Sequence, residues 1–503
     1  MNEMRQALHI LRKDVRHLWK ELFAALLLIA AFCFVGARRA LWLDVPGTER
    51  TAAWTLVTLL LPLSWWILIA RLIHEEALPG NSQFWITRPY DRKSLLGAKL
   101  LFIFVFINLP MLIADVIILH AYGLPVAAEW PGLLWAQVLL TVIFLLPILI
   151  LSAVTTGFVQ LLIAILVPCL AVLLVTIVGP DLVLALPSGY GWINSYVAFV
   201  LIAVAAAVVL IWQYRRLGTA LARSFVVVAG ILILFGAVFF PWPVAFRIQS
   251  WLSKQRLDPS AVQVSLDSKN SWLNRAAVQG DGDVLIELPV AITDLPAGMS
   301  AKAEGFSLEL RAPDGTARLV NQMPLNYLSE VNQQFSVKAI VDGAFYRTFK
   351  DEPLALRAKV YLTLFGNRQV ARIPFGNRLA PVPRVGVCAA SQVRDGHSYF
   401  VVCNSPFRRP PVMVSFSFVE FTDNTLQNVW TALQTSAGIS YSPLPATPGL
   451  DPVSQEFTLS AIPVPMSGAV VETQEPLAHI ERTFQIANLR LANLGQRALS
   501  ASR

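Results

Sequence analysis

The chain has 503 residues, of which 55% are hydrophobic and only 14% are charged, and its mean hydropathy is +0.57. Since an ordinary soluble domain has about 25% charged residues, this composition excludes a wholly soluble protein, and the abundance of apolar residues excludes a disordered chain. The net charge of +8 also suits nucleic-acid binding, but basic residues beside long apolar runs are more typical of membrane borders. We therefore predict a membrane protein that contacts lipid and has no nucleic-acid partner.

The apolar residues are concentrated in the first half of the chain, where seven stretches approach the roughly 20 residues that a helix needs to cross the hydrocarbon core. They cover residues 22–37, 52–73, 100–119, 133–153, 158–178, 196–214 and 225–246. Prolines lie inside four successive stretches, at Pro62, Pro110, Pro147 and Pro168, so we expect kinked helices in a packed bundle. The sequence thus predicts an α-helical polytopic membrane domain over residues 22–246.

The basic residues predict how these helices are oriented. Thirteen Lys and Arg flank the spans on the side of the N-terminus, in residues 1–21 and in the loops after the second and sixth spans, against three on the opposite side. The positive-inside rule therefore places the N-terminus in the cytoplasm. With seven spans, residues 247–503 emerge on the far side of the membrane.

Residues 1–21 have the pattern of an amphipathic helix. Apolar residues recur at spacings of three and four, with cations over much of the remaining surface; the apolar positions are Met4, Leu8, Leu11, Val15, Leu18 and Leu22. Such a helix is typical of the membrane interface. The alternative is a basic leader that only sets the topology.

The loop between the second and third predicted spans is rich in turn residues and aromatics. A Pro-Gly-Asn turn at 79–81 precedes a short segment that exposes Phe84, Trp85 and Ile86, and a Pro-Tyr-Asp sequence at 89–91 ends this segment. An apolar patch rimmed by charge suits docking to a protein partner. The alternative is that the aromatics only anchor the loop in the membrane interface.

This loop resembles the corresponding loop of type-2 ABC transporter permeases. Two acidic residues, Glu75 and Glu76, come before the run FWITRPYDRKSLLGAKLL, in which the family's Pro-x-x-Arg and Leu-Leu-x-x-Lys elements fall on residues 89–92 and 95–99. The N-terminal amphipathic helix and the apolar loop at 179–194 also resemble the family. The resemblance covers about residues 1–215; these permeases usually end after six spans, so the seventh span and the C-terminal half lie outside it.

The resemblance implies a permease subunit of an ABC-type transporter in the bacterial inner membrane. Such a subunit exports a substrate, here unknown, and forms a homodimer or a heterodimer with another permease. A separate cytoplasmic ATPase subunit would dock on the coupling loop, whose candidate residues are Glu75, Glu76, Phe84, Trp85, Arg88, Pro89 and Arg92. The alternative function is a non-transporting receptor or scaffold whose extracytoplasmic domain binds a ligand or partner.

The sequence has no catalytic motif that we can identify. The phosphate-binding loop Gly-x-x-x-x-Gly-Lys-Ser/Thr and the nucleophile motif Gly-x-Ser-x-Gly do not occur. The six His residues are scattered and form no grouping with Cys or carboxylates that suits a metal. We therefore predict that the chain is not an enzyme and uses no cofactor or metal, so that any ATP hydrolysis belongs to a partner subunit.

One carboxylate, Asp115, lies inside the third predicted span, after Asn108 and Pro110. Because burial of a carboxylate in a membrane is expensive, such a residue is a candidate functional site. Its position about one turn from the outer end also permits the alternative that water reaches it at the interface. A role in gating or substrate contact is therefore one of two interpretations.

Residues 247–503 predict a β-rich extracytoplasmic domain. Small or apolar residues occupy every second position over 356–364, which is typical of a strand. Gly366-Asn367 then predicts a two-residue hairpin turn that leads into 369–375. Together with three Asp-Gly turns, these patterns predict an all-β region of one or two sandwiches.

Two of the four cysteines are placed for a disulfide. Cys388 and Cys403 are symmetric about Asp395-Gly396, so a hairpin turn at that dipeptide puts them directly opposite each other on one face. A disulfide requires an oxidising compartment, which agrees with the predicted topology. The alternative is two free buried thiols. Cys33 and Cys169 lie inside predicted spans and are expected to be packing residues.

Overall fold

The computed structural model describes residues 3–40, 48–75, 92–178, 191–216, 219–239, 242–252, 261–266, 272–275, 284–320, 334–374, 376–392, 399–406, 413–419, 452–461 and 468–493. Its first half is helical and its second half consists mainly of strands. The helices of the first half are α1 (Glu3–His17), α2 (Trp19–Ala40), α3 (Thr48–His74), α4 (Arg92–Ile103), α5 (Leu109–Ala121), α6 (Val126–Leu139), α7 (Leu146–Val154), α8 (Phe158–Val178), α9 (Gly191–Arg216), α10 (Thr219–Phe239) and α11 (Trp242–Leu252).

Among the described residues, five helical segments are long and apolar enough to cross a membrane. They are Trp19–Arg38, Ala52–His74, Lys93–Ala121, Val126–Val154 and Val197–Tyr214, and they match the first, second, third, fourth and sixth predicted spans. The helices α8 and α10 occupy the positions of the fifth and seventh predicted spans, but their fully described apolar parts are shorter, Phe158–Val167 and Ala220–Ile233. The number seven therefore remains a prediction.

Two of the long segments contain a π-helical turn. One turn, π1 (Phe104–Asn108), joins α4 to α5, and the other, π2 (Leu140–Leu145), joins α6 to α7. Each ends two residues before a proline, Pro110 or Pro147. Proline supplies no N–H to the carbonyl four residues back, and its ring clashes with that carbonyl, so the preceding turn is distorted. Here Leu109 donates its N–H to the carbonyl of Phe104, five residues back. The proline distortions thus appear here as wide π turns, a feature that is frequent at functional sites.

The N-terminal helix α1 packs against α4. Its buried strip consists of Gln6, Ile10 and Asp14. Of the predicted apolar positions, Met4 and Leu8 are exposed, Leu11 and Val15 are partly buried against the core, and Leu18 and Leu22 are buried. The apolar strip therefore packs into the bundle except at its start.

The described strands of the second half form three antiparallel sheets. Its strands are β1 (Gln263–Leu266), β2 (Trp272–Arg275), β3 (Val284–Thr293), β4 (Ser300–Arg311), β5 (Ala317–Val320), β6 (Gln334–Val341), β7 (Leu354–Pro374), β8 (Gly376–Val382), β9 (Gly386–Gln392), β10 (Tyr399–Pro406), β11 (Met413–Val419), β12 (Val453–Ala461) and β13 (Gly468–Leu489). The central sheet has the order β11-β13-β7-β4-β5; a second has β1-β3-β2 with β6 also on β3, and a third has β12-β10-β9-β8. A short helix, α12 (Gly343–Phe349), follows β6.

The long strands β7 and β13 contribute to two separate hydrophobic cores. In the first core, Leu362 and Ile480 of these strands belong to the same buried cluster as Ile286 and Leu288 of β3. In the second, Ile373 of β7 clusters with residues of β8, β9 and β10. The predicted β-sheet content is confirmed, whereas the sandwich arrangement stays a prediction.

The predicted hairpin at Gly366-Asn367 is wrong. Strand β7 continues through both residues for 21 residues and pairs along its length with β13, which has 22. Asn367, at φ +54°, lies where the pairing register shifts between Gln369–Thr473 and Gly366–Glu475. The dipeptide therefore forms a β-bulge, which accommodates a left-handed residue within a strand just as a turn does between strands.

Candidate functional site

The coupling-loop residues predicted from the sequence are only partly within the described structure. Glu76, Phe84, Trp85, Arg88 and Pro89 lie outside the described residues. Of the two ends of the loop, Glu75 follows the last turn of α3, and Arg92 is the first residue of α4. The described part of this site consists of the two helix ends that flank the loop.

The end of α3 is tied to the junction between α1 and α2. Arg71, in the last turn of α3, forms an ion pair with Glu21 at the start of α2. His17 Nε2 lies 3.6 Å from Glu75 Oε1, which is an ion pair when His17 is protonated. These pairs are partly exposed and each contributes little energy, but they fix where the first end of the loop leaves the bundle.

The helix α4, which begins at the other end of the loop, is tied to α1 by a fully buried ion pair. Lys99 Nζ lies 2.8 Å from Asp14 Oδ2, and the two side chains are 1% and 0% exposed. Removing one partner of a buried pair costs about 3–5 kcal/mol because it leaves an uncompensated charge. Lys99 is seven residues after Arg92, about 10 Å along the helix axis, so the pair lies about two turns inside the end of α4 that adjoins the loop.

The end of α3 also contacts α7, which in turn is held by α10. His74 Nε2 lies 3.1 Å from Thr155 Oγ1, and that hydroxyl donates a hydrogen bond of 2.8 Å to the carbonyl of Leu151 in α7. Arg223 of α10 donates a hydrogen bond of 2.9 Å from Nε to the carbonyl of Val154 in α7. The α3 end of the loop is therefore connected through polar contacts to α7, and through α7 to α10.

A second group of polar side chains lies within the apolar segments, beside the two π turns. Asn108 Nδ2 of π1 donates to Thr141 Oγ1 of π2 at 2.8 Å, and Gln137 Nε2 of α6 donates to Asp115 Oδ2 of α5 at 3.0 Å. Thr141 in turn donates to the carbonyl of Gln137. We refer to Asn108, Asp115, Gln137 and Thr141 as the intramembrane polar cluster.

The structure places Asp115 in the protein interior, where it is 4% exposed. Sequence reasoning singled out Asp115 and noted Asn108 but missed Gln137 and Thr141. A signal was available, since two polar residues four positions apart in an otherwise apolar run face one side of a helix. The cluster joins the third and fourth apolar segments across their π turns, which makes it a candidate for a movable contact between them.

The last helix before the strands, α11, packs on β13 of the central sheet. The buried side chain of His479 in β13 is held on both ring nitrogens, with Nδ1 at 2.9 Å from Thr363 Oγ1 and Nε2 at 3.2 Å from Gln249 Nε2 of α11. Ser250 Oγ donates to the His479 carbonyl at 3.1 Å. Burial lowers the pKa of His479 to about 4, so the imidazole is neutral at pH 7.

The predicted disulfide is confirmed. Cys388 and Cys403 face each other in the register between β9 and β10 and are bonded, with their Cα atoms 4.0 Å apart. Of the other two cysteines, Cys33 is half-buried, whereas Cys169 is exposed on α8 instead of packed in the interior. Within the described part of the chain, no three His, Cys, Asp or Glu residues are grouped so as to hold a metal ion.

Comparison of the chain with known protein families found no matching family model, and no curated protein matches it. The interpretation of the helix ends that flank the loop, and of the intramembrane polar cluster, therefore depends on their geometry and on the loop sequence.

Proposed function

We propose that this protein is a permease subunit of an ABC-type transporter that couples to a separate cytoplasmic ATPase and exports a substrate. The observation that carries the proposal is the buried Lys99–Asp14 pair. It joins the helix that starts directly after the aromatic loop to the N-terminal amphipathic helix. A loop that only anchored the chain in the membrane interface would not need this rigid connection.

In the proposed mechanism, closure of the ATPase subunits displaces the loop and with it the first turn of α4. Because Lys99 and Asp14 are both buried and charged, separating them is costly, so α1 moves together with α4. The helix α4 continues through π1 into α5. The displacement therefore reaches Asp115 and its hydrogen bond to Gln137, where it changes the contact between the third and fourth apolar segments.

The proposed topology has seven spans, a cytoplasmic N-terminus and the β-rich half outside the cytoplasm, in a bacterial inner membrane. Two observations support it. The helix α10 has 21 residues, about 31 Å at 1.5 Å per residue, which is the thickness of the hydrocarbon core. The Cys388–Cys403 disulfide is stable in an oxidising compartment such as the periplasm.

Co-purification with the ATPase tests the proposal directly. The Phe84→Ala/Trp85→Ala chain, expressed with its native partners, should lose the ATPase subunit that the wild-type chain retains. The matched control is Trp19→Ala/Phe23→Ala, because these two aromatics of α2 are 59% and 64% exposed. It should retain the ATPase. Equal recovery of an ATPase with both double variants, or its absence from the wild-type preparation, would contradict the coupling role.

The packing of α11 on β13 favours a second candidate function, that of a non-transporting receptor or scaffold. Through Gln249, Ser250 and Phe246, the last helix contacts His479 and Tyr361 of the central sheet, so a ligand bound to the sheet can shift the helix. This candidate requires no ATPase partner. Mass spectrometry of the proteins that co-purify with the wild-type chain separates the two functions.

A further inference from the structure

An apolar groove runs between α2 and α5, the first and third predicted spans. Its volume is about 700 Å³, which is in the range of about 300–1,000 Å³ for ligand-binding clefts. The helix α2 contributes Leu26, Ile29 and Phe34, and α5 contributes Ile113 and Ile117. Phe34 and both isoleucines are also exposed on the outside of the bundle, so the groove opens sideways to the surroundings of the helices.

The length of the groove matches one leaflet of a bilayer. From Leu26 to Arg38 the lining follows α2 for twelve residues, about 18 Å at 1.5 Å per residue. The hydrocarbon core of a membrane is about 30 Å thick, so half of it is about 15 Å. A single acyl chain that lies along the groove therefore reaches from the bilayer centre to the border.

A cation lies at the border end of the groove. Arg38 is the last residue of the first apolar segment, and its guanidinium carbon lies 4.4 Å from the centroid of the Phe34 ring. This cation–π contact holds the guanidinium at the groove mouth. Among the residues that the structure describes, no carboxylate pairs with Arg38. A planar guanidinium at this depth is suited to bind a phosphate group.

The helices α2 and α5 pack closely against each other beside the groove. A Cβ atom added at Gly36 would lie 2.7 Å from Ile118 Cδ1 of α5, so the glycine lets the Ile118 side chain lie directly against the backbone of α2.

We propose that this groove binds one anionic phospholipid, with an acyl chain between α2 and α5 and the phosphate against Arg38. The apolar lining accepts any acyl chain. The Arg38 cation at its mouth, for which the described residues supply no carboxylate, favours a lipid with net negative charge. The site does not depend on an ATPase partner, so it stands or falls separately from the proposed transport function.

Native mass spectrometry of the full-length chain in detergent tests the site. Phosphatidylglycerol should be retained about fivefold better than phosphatidylcholine with the same acyl chains, which is the preference that one cation near a membrane surface provides. Arg38→Gln should remove this preference, and Arg38→Lys should keep it. Equal retention of the two lipids by the wild-type chain, or an unchanged preference in Arg38→Gln, would overturn the proposal.

Filling the groove tests where the lipid binds. Ile117→Trp should reduce the retention of phosphatidylglycerol at least fivefold, whereas Ile163→Trp, at a position of α8 that is 55% exposed, should leave it unchanged. If Ile117→Trp instead dissociates a dimer and leaves lipid retention intact, the groove is occupied by a second copy and the proposal is wrong.

The thiol of Cys33, which lines the groove, gives a readout that does not depend on retention in the gas phase. In a Cys169→Ala chain with the disulfide intact, saturating phosphatidylglycerol should slow maleimide modification of Cys33 about fivefold. The same lipid should not slow it when Arg38 is also changed to Gln. Equal rates with and without lipid in the chain that keeps Arg38, or the same slowing in the Arg38→Gln chain, would overturn the site.

Discussion

Lys99 and Asp14 are 85 positions apart in the chain, and their charged atoms lie 2.8 Å apart in the interior of the helix bundle. Both side chains are almost fully buried. The pair joins the helix that follows the aromatic loop to the N-terminal helix. It is more deeply buried than the ion pairs at the neighbouring helix ends, His17–Glu75 and Arg71–Glu21, which are partly exposed.

The first prediction concerns this pair. Asp14→Ala should destabilise the protein by about 3–5 kcal/mol, since it leaves the Lys99 ammonium buried without its carboxylate. Replacing both residues with apolar ones, as in Asp14→Leu/Lys99→Met, should recover most of the loss. Thermal unfolding in the same detergent measures the stability of the single and the double variant. A double variant that is less stable than Asp14→Ala would contradict a direct coupling between the two residues.

The intramembrane polar cluster gives a second prediction. Gln137→Leu removes the hydrogen bond to Asp115, and we expect a loss of about 1–3 kcal/mol because a buried carboxylate loses a donor. The control is Val138→Leu, at the neighbouring position, which is 43% exposed and should change stability little. Equal unfolding temperatures for the Gln137 variant and the control would show that the hydrogen bond contributes nothing.

Stability should depend on pH through His479. Its pKa is lowered by burial from 6.5 to about 4, so between these values the unfolded chain binds a proton that the folded chain does not. The contribution of His479 to the free energy of unfolding should therefore be constant above pH 6.5. It should fall by about 3 kcal/mol as the pH drops from 6.5 to 4.

Unfolding of the wild-type chain and of His479→Gln between pH 7.5 and pH 4 measures this effect. The variant retains every other titrating group, so the difference between the two curves isolates the imidazole. We expect the wild-type chain to lose more stability over this range than the variant. Parallel curves would mean that His479 is not shielded in the folded protein.

The disulfide yields a prediction for thiol chemistry and stability. Alkylation of the unfolded chain without a reductant should modify two cysteines, Cys33 and Cys169, and reduction should raise the number to four. Replacing Cys388 and Cys403 by Ser should cost about 3 kcal/mol, the loop-entropy value for a closed loop of about 15 residues. Modification of four cysteines before reduction would contradict the bond.

The proposed topology predicts which half a protease reaches in intact spheroplasts. Protease added outside should digest the β-rich half, residues 247–503, and leave an N-terminal epitope tag protected, because an odd number of spans puts the two ends on opposite sides. Permeabilised cells serve as the control, in which the protease should cut both the β-rich half and the N-terminal tag. Protection of the second half would require an even number of spans.

Local sequence was sufficient for the features that depend on neighbouring residues. The length of an apolar run determines whether a helix can cross the hydrocarbon core, so five spans could be located by counting. Alternation of small and polar residues identified the strand at 356–364. The Cys388–Cys403 pair followed from symmetry about one turn, since residues equidistant from a hairpin turn lie opposite each other.

Tertiary structure decided the features that depend on distant partners. Gly366-Asn367 has the composition of a hairpin turn, but β13 pairs with the residues on both sides of it, so the dipeptide becomes a bulge inside one long strand. Asp14 belongs to a helix that the sequence predicts for the membrane interface, and it meets Lys99 in the interior, 85 positions away in the chain. The physical reason is the same in both cases: the energy of a turn, a charge or a polar group depends on what packs against it, and residues far away in the chain supply that surface.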